Sequence, residues 1–271
     1  MMKQKSNGLF IVTLVLALIY VFPFAILIIN SLKTKFEILK DPLALPAQFN
    51  LDNFAEAFVR MDYLNAISNS LIVTLMGLVV LTIFPAMLAY YLEREPSKFK
   101  SVIFYMLVAS MIIPFQAVMI PFVSLFGKLG LMNGKGSLVY FYLGFGVALS
   151  TFMYRSFIAK IPRSLDESGA IEGASKFTIF WKIIFPQLKP ITATMLVLNA
   201  LWLWNDYLLP SLVLYQDQRT LPLMTYSFFG KYTSDYGLAM AGLVLSIVPI
   251  IIFYLIMQRQ IVSGITDGAV K

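Results

Sequence analysis

Six stretches of the chain are apolar almost without interruption. Each is long enough to cross roughly 30 Å of hydrocarbon as a helix. They cover residues 8–30, 69–92, 101–126, 137–158, 190–214 and 237–258. Pro114, Pro121, Gly144 and Gly146 fall in the third and fourth, so the ends of those two are the least sharply defined. The first stretch follows Lys3 and Lys5, as the core of a secretion signal would. It is too long for that role and no small-residue cleavage site follows it, so it reads as a retained span. Residues 31–68 and 215–236 carry Tyr, Phe and Pro and read as ordered surface. No low-complexity tract or additional soluble domain is visible. The pattern predicts an all-α polytopic membrane protein with six transmembrane helices, one domain over residues 1–271.

Composition agrees and removes several kinds of chemistry. The 271 residues are 59% hydrophobic and only 13% charged, too apolar for an ordinary soluble domain. Cysteine and histidine are both absent, so this chain offers no disulfide, no zinc site built on them, no thiol nucleophile and no imidazole base. The phosphate-binding pattern GxxxxGK[ST] is missing as well. Gly134-Lys135 and Gly230-Lys231 lack the earlier glycine. The formal charge of +7 reads as an orientation signal rather than a nucleic-acid patch. With the N-terminus in the cytoplasm, the inner segments hold 13 of the 21 Lys and Arg, and the outer segments also carry Glu37, Asp41, Asp52, Glu56, Asp62, Asp217 and Asp235. An even number of spans returns the C-terminus to the same side. The segment of about 159–190 is then a cytoplasmic loop.

That loop has internal order. Ile161-Pro162 breaks the preceding helix. Ser164 through Glu167 fits a capping box, with Ser164 as the N-cap and Glu167 reaching back. Asp166 and Glu167 stand in the first turn, where the helix dipole favours negative charge. Gly169 and Gly173 share a face and permit a close backbone approach or a turn at Gly173. A second helix is expected from about Ser175, with Phe177, Phe180, Ile183 and Ile184 on one face. Pro186 and Pro190 end it and open the fifth span. Read from the residues alone, this is a helix, a glycine turn and an amphipathic helix along the membrane surface, equally suited to being a plain connector.

The stretch IPRSLDESGAIEGASKFTIFWKIIFPQLKP, residues 161–190, resembles the cytoplasmic loop of ABC importer permeases. The family pattern is Glu-Ala-Ala, three residues, Gly, nine residues, Ile, one residue, Leu-Pro. Here it reads Glu167, Ser168, Gly169, then Gly173, Ile183, Phe185 and Pro186. Both alanines and the leucine are replaced, and Gly169 weakens its helix by roughly 1 kcal/mol against alanine. LWLWNDYLLP at 201–210 and ITDGAVK at 265–271 are similar to the fifth span and the tail of carbohydrate importers. Together they resemble the second, shorter permease subunit of maltose-type transporters. The resemblance implies the ABC importer type I transmembrane fold in a bacterial inner membrane, with both termini cytoplasmic. It implies that Glu167, Ser168, Gly169, Gly173, Ile183 and Pro186 couple the chain to an ATPase. It also implies a second, non-identical permease, a dimer of ABC ATPase subunits that binds ATP and magnesium, and an extracytoplasmic sugar-binding protein. Membrane lipid surrounds the complex, and no nucleic acid, catalytic residue or cofactor belongs to this chain. An oligosaccharide is the expected cargo.

Other polar residues in or near the spans are candidates for the substrate path. Asp206 is the acidic residue well inside a predicted span, an expensive placement in lipid. Asn205 and the nearby Trp202 and Trp204 offer hydrogen bonds and stacking faces to a sugar. Asn199 and Gln116 are weaker candidates, and Asn199 fits a helix–helix hydrogen bond equally well. Tyr226, Phe228, Phe229 and Tyr232 form an aromatic outer segment suited to contact with the binding protein, or to an interfacial belt. Three alternatives fit less. An ion-coupled carrier should show repeats and midplane ionisable residues. A non-sugar permease of the same superfamily would share the loop but is less expected to share WND and GAVK. A membrane enzyme would need a nucleophile, a metal cluster or paired carboxylates.

Overall fold

The computed structural model describes residues 2–229 and 235–269, with side chains over 8–229 and 235–258. Helices run α1 (Met2–Ser31), α2 (Lys35–Lys40), α3 (Asp52–Arg60), α4 (Tyr63–Arg94), α5 (Lys98–Ser110), α6 (Phe115–Lys128) and α7 (Lys135–Ile158). They continue as α8 (Ser164–Ile171), α9 (Lys176–Ile179), α10 (Phe185–Gln187), α11 (Lys189–Asn205), α12 (Leu208–Val213), α13 (Leu221–Tyr226) and α14 (Tyr236–Ala269). Among the described residues, four helices are individually long and apolar enough to cross a membrane: Gly8–Ser31, Tyr63–Arg94, Lys135–Ile158 and Tyr236–Gln258. Two bent pairs raise the number to as many as six, so the protein is an all-helical polytopic membrane protein.

The first bend departs from the expectation of a continuous third span, and the fifth span is broken near its end; the second bend falls where Pro186 and Pro190 are expected to end the loop helix and open the fifth span. The stretch 101–126 is divided, and α5 and α6 meet at 106°. The residue before a proline is driven out of helical geometry. Pro114 itself is extended at φ −68°, ψ 140°, and residues 111–113 tighten into three-residue turns before it. The stretch 190–214 stops at Asn205 and resumes as α12. Asp206 is extended there, and its Oδ1 accepts from Leu208 N at 3.1 Å, a short polar side chain replacing the lost helical bond. Ahead of Pro190, α11 leaves the preceding helix at 78°.

The chain divides into two compact units. The first, Met1–Ala66 with Leu221–Pro249, holds α1 with its apolar side chains exposed from residue 8 to residue 24. A helix that is apolar all round and uncovered suits lipid or another subunit. Buried polar groups nearby are paired. Lys33 is 1% exposed and donates Nζ to Asp41 O, and Asn53 Nδ2 bridges the carbonyls of Ser31 and Lys33. Thr34 and Glu37 form a capping box on α2.

Among its described residues, the second unit, Ile67–Thr220 with Ile250–Lys271, shows two apolar cores. One joins α4, α6, α7, α11 and α12 through Val73, Leu81, Phe122, Tyr142, Leu203 and Leu209. Gly146 is required in it: an added Cβ would sit 2.6 Å from Leu81 and 2.8 Å from Trp202. The other core joins α4, α7 and α11 to the loop through Ala86, Ala89, Tyr154, Ile158, Phe180 and Leu188.

Candidate functional site

The loop of residues 159–190 folds as two short helices at a sharp turn. Gly173 makes that turn at φ +80°, in left-handed geometry that glycine adopts without a Cβ penalty. Ala174 N donates to Gly169 O and Gly173 N to Ala170 O, both at 3.0 Å, the paired bonds of a Schellman ending on α8. Ser175 then caps α9 by accepting from Thr178 N at 3.2 Å. A π-helical turn, Phe180–Ile184, continues it to α10.

Two details correct the sequence reading. Ser164 is not the N-cap, and no capping box forms with Glu167. Arg163 is already helical at φ −66°, ψ −22° and its carbonyl receives Asp166 N and Glu167 N, so the chain enters α8 from the Pro162 turn without an extended cap. The face expected from Phe177, Phe180, Ile183 and Ile184 is also rotated. Ile179, Phe180, Ile184 and Leu188 are buried, Ile183 is half-buried, and Phe177 is 62% exposed. The π-turn adds a residue to the repeat and shifts the buried stripe out of the 3.6-residue phase.

Of the pattern residues, Glu167 and Ser168 are exposed on α8, Pro186 is exposed on α10, and Gly169 is buried against the second helix. A Cβ on Gly169 would meet Ile183 Cδ1 at 2.9 Å and Ile179 Cγ1 at 3.0 Å. The two helices therefore touch where the pattern places small residues. Their open side presents Glu167, Ile171 (87% exposed) and Phe177. Beside it lies a cavity of about 480 Å³ walled by Tyr90, Arg94, Asp166, Glu167, Phe177 and Phe180.

Sequence reasoning missed the charged residues that hold this loop. Arg94 Nη2 is 3.0 Å from Asp166 Oδ2 and donates to Ile161 O at 3.1 Å, and Tyr90 OH donates to Asp166 Oδ1 at 2.6 Å. Glu93 accepts from Arg155 Nε at 2.8 Å. Glu95 accepts from Lys176 and, at 3.0 Å, from Lys100. Lys176 and then Lys100 hold the Glu95 carboxyl below the usual carboxylate range. In the sequence these were only loop charges. The run Glu93-Arg94-Glu95 closing an apolar stretch was the available signal.

The substrate-path candidates separate. Asn199 Nδ2 donates to Ser150 Oγ at 3.3 Å, a buried bond between α11 and α7. Asp206 Oδ2 accepts from Tyr142 OH at 2.9 Å and, with Leu208 N, is engaged at the helix break. Asn205 is exposed and donates to Leu201 O; Trp202 is 37% exposed, whereas Trp204 is buried. Gln116 is exposed on α6. Of the outer aromatics, Tyr226 and Phe229 are exposed, with ring centroids 6.2 Å apart. Phe228 is buried against Gly242, and Tyr232 lies outside the described residues.

A helical membrane unit carrying this loop is what the resemblance to importer permeases implies, and the comparisons agree. The chain belongs to the family of binding-protein-dependent transport system inner membrane components, whose pattern matches residues 82–267. It is a permease component, not an enzyme. It is 46% identical over 259 residues to the probable starch degradation products transport system permease protein AmyC of Thermoanaerobacterium thermosulfurigenes, covering 95% of this chain and 94% of that one. It is 38% identical to the multiple sugar-binding transport system permease protein MsmG of Streptococcus mutans, covering 92% and 91%. Its fold matches a chain of a bacterial ABC transporter involved in the import of the acidic polysaccharide alginate, with a TM-score of 0.79 at 22% identity, over 95% of this chain and 97% of that one.

Proposed function

We propose that this chain is one permease of a bacterial ABC importer for carbohydrate, and that loop 159–190 is where a separate ATPase drives it. The observation that carries the reading is the two-sidedness of the loop. Phe180 and Leu188 root it in the core of α4, α7 and α11, while Glu167, Ile171 and Phe177 stand on the open side. A surface displaced by a nucleotide-driven partner has to be both accessible and attached to the spans. Gly169 and Ile183 bring the two helices together, Ser168 is exposed beside Glu167, Gly173 sets the turn, and Pro186 leads into α11. ATP and magnesium belong to the ATPase dimer. The loop and both termini face the cytoplasm, as the Lys and Arg distribution favours.

The chain acts as a single permease domain, paired with a second, non-identical permease and fed by an extracytoplasmic binding protein. The family description supports the binding protein. A starch-derived oligosaccharide is the cargo that the 46% identical relative favours. Trp202 and Asn205, both exposed, are the best-placed residues to stack on and hydrogen-bond a sugar, whereas Asn199 and Asp206 have internal partners. Gln116 is a further exposed polar position on the path. Tyr226 and Phe229 are the outer aromatics placed to meet the binding protein.

The test is Glu167→Lys in the reconstituted importer. The variant inserts and assembles, hydrolyses ATP, and moves far less maltotriose per ATP than the parent. Unchanged transport per ATP removes the loop from the coupling path.

A further inference from the structure

The end of α4 and the residue after it form a three-way clamp: Glu93 and Arg94 close the helix, Glu95 follows it, and each of the three side chains reaches a different partner. Glu93 takes Arg155 at the end of α7, and the Arg155 guanidinium also lies 4.0 Å from the centroid of Phe104 on α5. Arg94 takes Asp166 on α8 and the Ile161 carbonyl at the loop entrance. Glu95 takes Lys176 at the start of α9 and Lys100 on α5. Lys100 is itself buried, 3.6 Å from the centroid of the Tyr91 ring. Three adjacent side chains thus tie one span to the two helices of the loop and to the two neighbouring spans.

The three ties differ in environment. The Arg94 and Asp166 side chains are 10% and 18% exposed, and Tyr90 adds a second bond to the same carboxylate. A pair shielded in this way is little screened by salt. Lys176 is 81% exposed, so its tie to Glu95 is open to screening. Phe180 packs 5.4 Å from Tyr90, which places an apolar contact beside the ionic one. A loop joined to α4 by both is held as one body with it.

We propose that Tyr90, Arg94 and Asp166 are positioning residues that lock the loop to α4, so that a push on the loop becomes a movement of the span. The proposal rests on the coupling role given to the loop above. Glu93 and Glu95 are the lesser arms of the same clamp. Neither the importer pattern nor the exposed docking side includes these residues.

The chain has no cysteine, so paired spin labels can be introduced cleanly. Ser164 on α8 and Val79 on α4 are both exposed, lie off the docking side, and take the labels as Ser164→Cys and Val79→Cys. In the purified full chain, the label-to-label distance is a single narrow distribution. Asp166→Ala broadens or splits it, and Asp166→Glu restores it. An unchanged width in Asp166→Ala overturns the proposal. With ATPase bound, ATP and vanadate leave the distance in the parent unshifted and shift it in Asp166→Ala. A shift in the parent also overturns the lock. If Asp166→Ala fails to fold, Tyr90→Phe, which removes one bond from the same carboxylate, takes its place with the same two readouts. A chain that binds no ATPase fails the coupling reading alone, because the first comparison still decides whether the lock exists.

Discussion

Two glycines four residues apart in the loop should respond oppositely to the same pair of substitutions. Gly173 sits at φ +80° with open space where a Cβ would go, so only backbone strain opposes a side chain there. Alanine in that left-handed conformation costs about 1–2 kcal/mol. That raises the population of the unformed turn about 5- to 30-fold. Asparagine visits the left-handed region more readily and should be tolerated better. Gly169 lies inside α8, where alanine gains roughly 0.8–1 kcal/mol of helix propensity. Its Cβ would press on Ile183 Cδ1 at 2.9 Å and Ile179 Cγ1 at 3.0 Å, and the flexible end of Ile183 can yield. Asparagine there adds bulk to the same contact and loses most of the propensity gain. Protection of the loop is read by hydrogen exchange on peptides covering 164–178, which include the Gly173 and Ala174 amides that close the turn. The predicted order is Asn above Ala at position 173 and Ala above Asn at position 169. The same order at both sites, or Ala harmless at 173, refutes the turn argument.

Other outcomes follow from the same geometry. Phe180 is 2% exposed, and Phe180→Ala should cost about 3–5 kcal/mol, seen as a lowered melting temperature in detergent. Phe177→Ala should stay within about 0.5 kcal/mol of the parent, since the ring is 62% exposed, yet weaken ATPase association; a large melting shift contradicts the open-side assignment. The Glu95 carboxyl is held low by Lys176 and Lys100, so its contribution is complete above the usual carboxylate value and is lost as pH falls through the lowered one. Melting of the complex should therefore show no contribution from this pair between pH 5 and 8 changing with pH, and a stronger acid decline in the parent than in Glu95→Gln. Identical acid profiles would rule the link out.

The legible parts of this protein were those set by local rules. Long apolar runs marked the spans, because nothing in hydrocarbon can satisfy an unpaired backbone. Gly173 and Ser175 announced a turn and a cap, because a left-handed residue and an N-cap each favour few side chains. The breaks at 111–114 and at Asp206 were less visible, since hydropathy counts composition and ignores direction. The phase of the second loop helix was only partly legible: Ile179 joins Phe180 on the buried side while Phe177 is exposed, and the π-turn that follows cannot be read from a 3.6-residue repeat. The Glu93-Arg94-Glu95 clamp was invisible because its partners lie up to 81 residues away, and only the fold brings them together. Asp206 was conspicuous as an acid in a span, and its neighbours in space, Tyr142 and Leu208, give it a structural occupation.

The central claim is that a separate ATPase works this permease. The direct measurement is to extract the native assembly in mild detergent by a tag on this chain and identify what accompanies it by mass spectrometry. The account predicts an ATPase carrying the phosphate-binding loop, together with a second permease of different sequence, and a smaller recovery of that ATPase when Phe177 is replaced by Ala. Recovery of this chain alone, or only with copies of itself, across several gentle detergents would contradict it.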